Sequence, residues 1–288
     1  VTAAGVNRAD VMQRLGHYPP PKGASPLPGL EVSGRVLEVG PEVEGWSVGD
    51  EVCALVDGGG YAERVLVPAA QLLPVPKGVD LTAAAGLPEV ACTVWSNLGM
   101  VADIQEGDRV LIHGGAGGVG SFAIQLCKAM GCEVAVTAGS AEKLEYCRQL
   151  GADVLINYKE QDFAEELPGW ADAILDVVGG PYLEQNIKAL NADGHLIVIA
   201  VQGGPKGTLS LGRMMPRRLS VTATTLRARP RPMKAAIVAS TVEHVWPLLE
   251  SGAITPNISQ RFPLADAKKA HEHLDSGKNT GKILLTVS

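Results

Sequence analysis

Cysteine is scarce in this sequence, and the cysteines that are present do not pair by spacing. The 288 residues include five, which are Cys53, Cys92, Cys127, Cys132 and Cys147. Because their number is odd and no two stand in C-x-x-C, the pattern argues against a disulfide framework and against a zinc ribbon. We therefore expect reduced thiols in apolar surroundings and a cytoplasmic protein.

Long apolar runs and blocks of positive charge are also lacking. No apolar stretch approaches the roughly 18 residues that cross a bilayer, and no charged leader followed by an apolar run opens the sequence, so neither a membrane partner nor secretion is expected. The formal net charge is −6 and the basic runs are short, so nucleic acid is not an expected partner. The sequence begins without Met and in mid-pattern at "VTAAGVNRAD", and we expect the first domain to lack its start.

The sequence does contain enough apolar residues for a core, 46% of the total. Residues 1–89 are rich in Gly and Pro and carry the short alternating runs "EVSGRVLEVG", "DEVCALV", "YAERVLV" and "QLLPVP". This texture predicts an irregular, mostly β domain. Residues 226–288 hold two helical segments and one strand, too few for a domain of their own. We expect them to return to the first segment, so that residues 90–225 form an inserted domain.

Residues 90–225 alternate between strand-like and helical segments. The strand-like runs "RVLIH", "CEVAVTA", "DVLIN", "ADAILDVVG", "GHLIVIA" and "LSVTATTL" are nearly continuously apolar, as expected of parallel strands covered by helices on both faces. Six such strands predict an α/β fold with a doubly wound parallel (Rossmann) sheet. Ser140 is the expected N-cap of the helix after the second strand.

A glycine-rich turn joins the first of these strands to its helix. Gly115, Gly117 and Gly120 form G-x-G-x-x-G, and between a strand and a helix this pattern predicts a dinucleotide site. The first glycine permits the tight turn, the second lets the backbone approach a pyrophosphate, and the third allows close packing of helix on strand. The N–H groups at the helix start, with Gly118 and Val119, would then hold the phosphates.

Two other uses of such a turn are disfavoured. A P-loop needs Lys and then Ser or Thr after its last glycine, whereas Ser121 follows Gly120 directly. Methyltransferases commonly place an acid just before the glycines, where this chain has His113 and Gly114.

The tip of the second strand predicts which dinucleotide binds. An NAD-selective site places an acid there to accept the ribose hydroxyls, but this strand ends at Ala138 and Gly139 without one. Ser140 and Lys143 follow, and Tyr158 comes one strand later. A neutral tip with a hydroxyl and a lysine suits a 2′-phosphate, so we expect NADPH. A simpler interpretation of Lys143, a solvated helix residue, stays open.

Tyr18 and Lys22 formally match the Y-x-x-x-K pair of short-chain dehydrogenases. That pair must lie on one face of a helix. The three consecutive prolines between them prevent a helix, so we reject the match.

The first segment carries a longer and more specific motif. The stretch "PLPGLEVSGRVLEVGPEVEGWSVGDEV" fits the frame PGxExxGxVxxVG…GD and resembles the catalytic-domain signature of the medium-chain dehydrogenase/reductase superfamily. The resemblance implies a mostly β, GroES-like catalytic domain around the inserted Rossmann domain. Zinc-dependent members carry Cys where this chain has Asn7 and His where it has Leu30, and the four cysteines of their structural zinc lobe are missing. We therefore expect no metal.

Within the superfamily the sequence resembles the zinc-free quinone oxidoreductases, above all the branch containing the tumour-suppressor-inducible quinone oxidoreductase. The stretches "NRADVMQRLGHYPPP", "GGGYAERVLVP", "PEVACTVW", "LDVVGGPYLEQN" and "NTGKILL" carry this resemblance. It implies hydride transfer from NADPH to a quinone or another electron-poor carbonyl compound. It also implies a homodimer, for which "LSVTATTL" would offer a pairing edge.

The resemblance implies roles for individual residues. Asn7, Tyr18 and Thr93 would face the nicotinamide and the substrate, and Ser140, Lys143 and Tyr158 would hold the 2′-phosphate. Val178 and Gly179 would lie beside the nicotinamide ribose, Gln202 and Gly203 near the ring, and Asn279, Gly281 and Lys282 would close over the cofactor.

The residue types at the substrate positions agree with these roles. Asn7 and Tyr18 can hydrogen-bond a carbonyl, and Tyr18 adds a flat apolar face. A turn-capping role for Asn7 and simple loop packing for Tyr18 stay open. Asp10 is expected to be structural rather than catalytic.

Two other functions stay open. An enone or enoyl-thioester reductase would need an acid near the substrate α-carbon, for which Tyr18 is the one candidate we can name. A quinone needs no strong acid, because the hydroquinonate can take its proton from solvent. A non-catalytic NADPH-binding or RNA-binding protein is supported only by Arg227, Arg229 and Arg231, a weak basic patch.

Overall fold

The computed structural model describes residues 1–287. Its strands are β1 (Ala3–Val6), β2 (Glu31–Arg35), β3 (Glu51–Leu55), β4 (Leu72–Pro74), β5 (Arg109–His113), β6 (Glu133–Ala138), β7 (Val154–Asn157), β8 (Ala171–Asp176), β9 (Leu190–Val198), β10 (Ser220–Ala223), β11 (Ile258–Pro263) and β12 (Lys282–Thr286). Its α-helices are α1 (Arg8–Arg14), α2 (Leu81–Ala84), α3 (Pro88–Val94), α4 (Gly118–Ala129), α5 (Ala141–Gln149), α6 (Phe163–Glu166), α7 (Leu183–Ala189), α8 (Leu211–Met214), α9 (Arg231–His244), α10 (Trp246–Glu250) and α11 (Ala267–Asp275).

The chain divides into two compact units. The β unit consists of Val1–Thr93 and the described residues from Leu226 onward, and the α/β unit is Val94–Thr225. The sequence analysis predicted the boundary between the first domain and the inserted domain at 89/90. The structure places it four residues later, between Thr93 and Val94, near the end of helix α3. Among the helices of residues 1–287, none combines the length and the apolar character that a bilayer crossing requires.

The β unit is built on one six-stranded sheet in the order β11-β12-β1-β2-β3-β4. Strand β1 pairs antiparallel with β12, Ala3 opposite Thr286 and Val6 opposite Ile283, so the two ends of the chain share this sheet. A cluster of buried aliphatic side chains, including Val32 and Leu285, packs on one face. The predicted strand "YAERVLV" is not one, because residues 61–68 join no strand ladder and Leu66 is 96% exposed.

The α/β unit holds a six-stranded parallel sheet in the order β10-β9-β8-β5-β6-β7. The predicted α/β fold with a Rossmann sheet is thereby confirmed. The apolar run of β5 is fully buried, with Val110, Leu111 and Ile112 at 0% exposure. The strand order reverses between β5 and β8, the place where ligands bind in such sheets. Strand β10 lies at one edge, and pairing of two copies through it stays a prediction.

Helix starts in the α/β unit follow local sequence. The Ser140 hydroxyl accepts a hydrogen bond from the Lys143 N–H and caps α5, as the sequence predicted. The segment "KEQDFAEEL" forms a single helical turn over Phe163–Glu166. Helix α4 begins at Gly118, directly after the glycine turn.

Candidate active site

The glycine turn forms a short loop between β5 and α4. The Gly117 N–H donates to the Gly114 carbonyl over 3.0 Å, and helix α4 then runs for 12 residues. The first N–H groups of a helix have no acceptor within it, and the positive end of the helix dipole lies there. The N–H groups of Gly118, Val119 and Gly120 are therefore placed to hold a diphosphate.

Glycine is required at the positions of this loop for different structural reasons. A Cβ at Gly120 would lie 2.4 Å from the Gly114 carbonyl oxygen, and one at Gly115 would lie 2.9 Å from the Val136 side chain. A Cβ at Gly117 would meet nothing closer than 3.5 Å. Gly115 and Gly120 are thus required for packing, whereas the space above Gly117 is left for a ligand. The loop fits a dinucleotide.

Strand β6 ends beside the residues expected to bind a 2′-phosphate. A Cβ at Gly139 would lie 2.5 Å from the Tyr158 hydroxyl, so the phenol packs over the tip of β6, one residue from Ser140. Partial burial lowers the pKa of Lys143, and the nearby charge of Lys159 lowers it further. The structure therefore brings Ser140, Lys143 and Tyr158 together at one positively charged end of the strand.

The loops after β8 and β9 are joined by backbone hydrogen bonds. The Gly203 N–H donates to the Val178 carbonyl over 2.8 Å, and the Gln202 N–H donates to the Val177 carbonyl over 3.1 Å. Gly179 has a φ of +83°, a conformation that favours glycine. Four predicted cofactor residues thus lie together, namely Val178, Gly179, Gln202 and Gly203.

A buried chain of polar side chains links the glycine turn to this second loop. The Thr137 hydroxyl lies 3.0 Å from His113 Nδ1, and His113 Nε2 lies 2.8 Å from Asn186 Oδ1. The Asn186 amide donates to the Asp176 carboxylate, which accepts the N–H groups of Val178 and Gly179. Burial lowers the pKa of His113 to about 4, so its ring is neutral at pH 7.

In the β unit, Asn7 is held by a buried ion pair. Its side-chain amide donates to Glu31 Oε1 over 2.9 Å, and its carbonyl oxygen accepts from the Lys282 ammonium over 2.7 Å. Lys282 also pairs with Glu31, and the two are 5% and 0% exposed. Gly5 leaves room for this pair, because a Cβ there would lie 2.1 Å from Glu31 Oε1.

The last segment contributes one residue to this cluster. Lys282, predicted to close over the cofactor, lies at the start of β12 with its ammonium group on Asn7 and Glu31. Gly281 precedes it with a φ of +62°, and Asn279 is partly exposed in the preceding loop.

Asp10 is structural, as expected. It is 0% exposed and accepts the N–H groups of Asn7 and Gly29, each over 2.8 Å. Burial raises its pKa to about 6. The Tyr61 hydroxyl lies 3.3 Å from Asp10 and 3.0 Å from His271. Asp10 thus ties the start of α1 to the loop before β2 and, through Tyr61, to α11.

Tyr18 lies on a buried arginine. The Arg227 guanidinium sits 5.4 Å from the centre of the Tyr18 ring and donates to the Tyr18 and Asp57 carbonyls. Burial raises the pKa of the Tyr18 hydroxyl, and the charge of Glu89 raises it further. Arg227 is 5% exposed, so it is not available for the basic surface patch that its sequence position had indicated.

Helix α3 carries Thr93 and a glutamate that the sequence analysis missed. Glu89 lies four residues before Thr93, on the same helix face, and its backbone N–H donates to Glu31 Oε2 over 2.9 Å. Burial raises the pKa of the Glu89 carboxyl to about 8, and the neighbouring charge of Glu31 adds to this effect.

Comparison with known proteins agrees with this arrangement. The family described as alcohol dehydrogenase GroES-like domain matches residues 1–77, and the zinc-binding dehydrogenase family matches residues 118–241. A quinone oxidoreductase of Pseudomonas aeruginosa is 33% identical over 98% of this chain and 88% of its own length. The chain belongs to the medium-chain dehydrogenase/reductase superfamily.

Other relatives of this medium-chain dehydrogenase/reductase differ from one another in length and in the activity for which they are named. A highly reducing polyketide synthase of Emericella nidulans is 32% identical over 99% of the chain, which spans 11% of that protein. The crystal structure of Escherichia coli quinone oxidoreductase complexed with NADPH matches with a TM-score of 0.87 and 29% identity, over 99% of this chain and 89% of that one. The CurK enoyl reductase matches with a TM-score of 0.85 and 28% identity, over 100% and 90%.

The positions of the superfamily's catalytic zinc ligands do not suit a zinc ion in this dehydrogenase/reductase. Leu30 is 2% exposed and carries no ligand atom. Both polar atoms of the Asn7 side chain are engaged with Glu31 and Lys282. Among residues 1–287, no group of three or more His, Cys, Asp or Glu side chains is arranged to hold a metal.

In the β unit, three residues of the site were not foreseen, although two lie in motifs that were recognised. Glu31 belongs to the "GLE" frame and Glu89 to "PEVACTVW". An acidic residue inside each of these motifs was the sequence signal that could have identified them as site residues. Arg227 gave none beyond its charge, because only the folded chain shows its contact with Tyr18.

Proposed function

We propose that this protein is an NADPH-dependent, zinc-independent quinone reductase. The observation that carries the proposal is the state of the two zinc-ligand positions, where Leu30 is apolar and Asn7 is engaged with Glu31 and Lys282. A carbonyl acceptor must then be bound by hydrogen bonds and ring contacts rather than by a Lewis acid. The likeness to the Pseudomonas aeruginosa quinone oxidoreductase supports this choice of acceptor.

The α/β unit supplies the residues for the cofactor. When bound, NADPH provides a hydride. The N–H groups at the start of α4 bind its diphosphate, and Ser140, Lys143 and Tyr158 bind the 2′-phosphate. The hydrogen-bonded chain through His113 fixes Val178 and Gly179 beside the nicotinamide ribose. The NADPH complex of the Escherichia coli quinone oxidoreductase supports this cofactor.

The β unit supplies the residues for the acceptor. Tyr18 offers a ring face that its contact with Arg227 holds in one orientation. Glu31 and Lys282 orient the Asn7 amide, and Thr93 adds a hydroxyl from α3. This set matches a planar molecule that carries carbonyl oxygens.

Steady-state oxidation of NADPH in the presence of 1,2-naphthoquinone tests the proposed acceptor, with heat-inactivated protein as the control. We expect saturable turnover above the uncatalysed rate. Absence of such turnover would overturn the proposed function.

The cofactor choice is tested by titrating NADPH and NADH into the wild type and Lys143→Ala. Hydrogen bonds to charged groups contribute roughly 1.5–3 kcal/mol, so the variant should bind NADPH roughly 10- to 100-fold more weakly and NADH as before. Lys268→Ala, which changes an exposed lysine of the β unit, serves as the matched control. Equal affinity of both proteins for both nucleotides would contradict the phosphate site.

Reduction of an enone is the second candidate, favoured by Glu89. Such a reaction must place a proton on a carbon atom, and the raised pKa of the Glu89 carboxyl makes an acid available in the β unit. The likeness to the CurK enoyl reductase points the same way. A 2-alkenal assayed beside the quinone separates the two candidates by their kcat/KM values.

A further inference from the structure

A buried glutamate of the β unit accepts a hydrogen bond from the backbone of a second glutamate. Glu31 on β2 accepts the backbone N–H of Glu89 on α3, and the two side chains interact electrostatically. Two neighbouring carboxylates that are shielded from water cannot both keep a charge without cost, so one of them retains its proton.

The surroundings decide which of the two keeps the proton. Glu31 accepts hydrogen bonds from the Asn7 amide, from the Lys282 ammonium and from the Glu89 N–H, and all three stabilise a carboxylate. Three donors thus surround the Glu31 carboxylate.

The charged groups around the Glu89 carboxyl come from four elements. Glu31 on β2 and Asp10 on α1 favour its neutral form, whereas Lys282 on β12 and Lys234 on α9 favour its ionised form. Lys282 is bound to Glu31, and Lys234 is paired with Asp57. Burial and the two carboxylates prevail, and they raise the pKa of Glu89 to about 8.

Glu89 also lies among the residues assigned to the acceptor. Thr93 is one helical turn away on the same face of α3. The charge of Glu89 acts on the Tyr18 hydroxyl. The residue as a whole keeps some exposed surface, whereas Glu31 is 0% exposed.

We propose that Glu89 is the general acid of the reaction and gives a proton to the acceptor after hydride transfer. An acceptor that gains a hydride becomes an anion, with its charge on a carbonyl oxygen. The O–H bond of the Glu89 carboxyl breaks, a new O–H bond forms on that oxygen, and Glu89 is left as a carboxylate. It regains a proton from water before the next turnover. With an α,β-unsaturated aldehyde the same proton goes to the α-carbon.

This inference rests on the proposed function for its acceptor and is tested first by pH–rate profiles. Glu89→Gln, Glu89→Asp, Tyr18→Phe and Glu44→Gln are compared with the wild type, using 1,2-naphthoquinone and a 2-alkenal. Glu44 is an exposed glutamate of the same unit and serves as the control. The protonated form is active, so wild-type kcat/KM should fall as the pH rises through about 8.

With the 2-alkenal, Glu89→Gln should lower kcat/KM by roughly 10²-fold or more, the usual contribution of a general acid, and should lose the alkaline fall. The loss should be smaller with the quinone, because the hydroquinonate can also take its proton from solvent. Glu89→Asp should keep the fall with reduced rates, and Tyr18→Phe should keep it too. A Glu89→Gln enzyme with wild-type rates and the wild-type profile on both acceptors would overturn the proposal. The proposal would also be overturned if the alkaline fall in kcat/KM were lost in Tyr18→Phe and kept in Glu89→Gln.

A second measurement needs no turnover. Carbon-13 NMR of the protein labelled at glutamate Cδ should show one carboxyl that titrates near pH 8 and disappears in Glu89→Gln. Its absence from the wild-type spectra would overturn the assignment of Glu89 as an acid even if quinone is reduced. Conversely, wild-type protein that shows this carboxyl and reduces the 2-alkenal but not the quinone would overturn the proposed acceptor and leave the acid in place.

Discussion

At the scale of single residues, one amino-acid type can be required for unrelated reasons a few positions apart. Gly120 is needed because the Gly114 carbonyl occupies the place of a Cβ, whereas a Cβ at Gly117 would make only an ordinary contact at 3.5 Å. The first is a requirement of the fold, and the second is a requirement of the ligand.

The pair Gly120→Ala and Gly117→Ala should therefore separate stability from binding. In Gly120→Ala the Cβ meets backbone, which costs on the order of 1–3 kcal/mol and should lower the thermal unfolding midpoint by several degrees. Gly117 has a φ of −74°, which alanine adopts without strain, so that midpoint should stay unchanged while NADPH binds at least roughly 10-fold more weakly. Differential scanning fluorimetry with and without NADPH measures both effects. Equal midpoints for the two variants would contradict this interpretation.

At the scale of elements, the carboxyl ends of β5, β6 and β8 are connected by buried side chains in addition to the backbone hydrogen bonds of the sheet. Thr137, His113, Asn186 and Asp176 form one hydrogen-bonded chain across them. Because a neutral imidazole has one N–H, His113 must accept from Thr137 and donate to Asn186 for every polar atom to be satisfied. The neutral ring thus determines which group donates and which accepts in each of these hydrogen bonds.

The buried His113 should make the free energy of unfolding fall at acid pH. The folded pKa of His113, about 4, lies below its ordinary value of 6.5. The contribution of His113 to the free energy of unfolding is therefore complete above pH 6.5 and is lost as the pH falls towards 4. Between pH 7 and 5 this loss amounts to about 2 kcal/mol for one such group. His113→Gln keeps an uncharged donor and acceptor, so its free energy of unfolding in urea should fall by about 2 kcal/mol less over that range. An identical fall in both proteins would contradict the assignment.

At the scale of the whole molecule, the β unit is held together by contacts between residues that are far apart in sequence. Lys282 and Glu31 are 251 residues apart in sequence yet form one ion pair within the β unit. The five cysteines are spread over both units, and each is buried. Their reactivity therefore reports on the integrity of the molecule as a whole.

Alkylation of the native protein by iodoacetamide should be slow and uneven. Burial raises the pKa of Cys92 and of Cys147 to about 12 and that of Cys53 further, so these thiols carry almost no thiolate at pH 8. A hydrogen bond with Cys127 lowers the pKa of Cys132, which should be labelled first. Peptide mass spectrometry over time gives the order, with urea-unfolded protein as the control. Equal rates in native protein would contradict this expectation.

The sequence by itself determined the features that depend on neighbouring residues. The glycine turn, the Ser140 cap and the apolar strands of the Rossmann sheet are patterns of a few consecutive positions, and local sterics and periodicity were enough to predict them. The frame around Leu30 placed the chain in its superfamily for the same reason. The irregular segment at 61–68 was misjudged, because alternation alone does not supply a partner strand.

Only the tertiary structure decided the pKa values and the orientations of the side chains in the candidate site. Nothing in the sequence around Glu89 indicates an unusual carboxyl, but burial raises its pKa to about 8 in the folded chain, and the charge of Glu31, 58 residues away in sequence, adds to this effect. Tyr18 gains a fixed orientation from Arg227, 209 residues further along the chain. Desolvation and charge proximity depend on distances through space, and these exist only once the chain has folded.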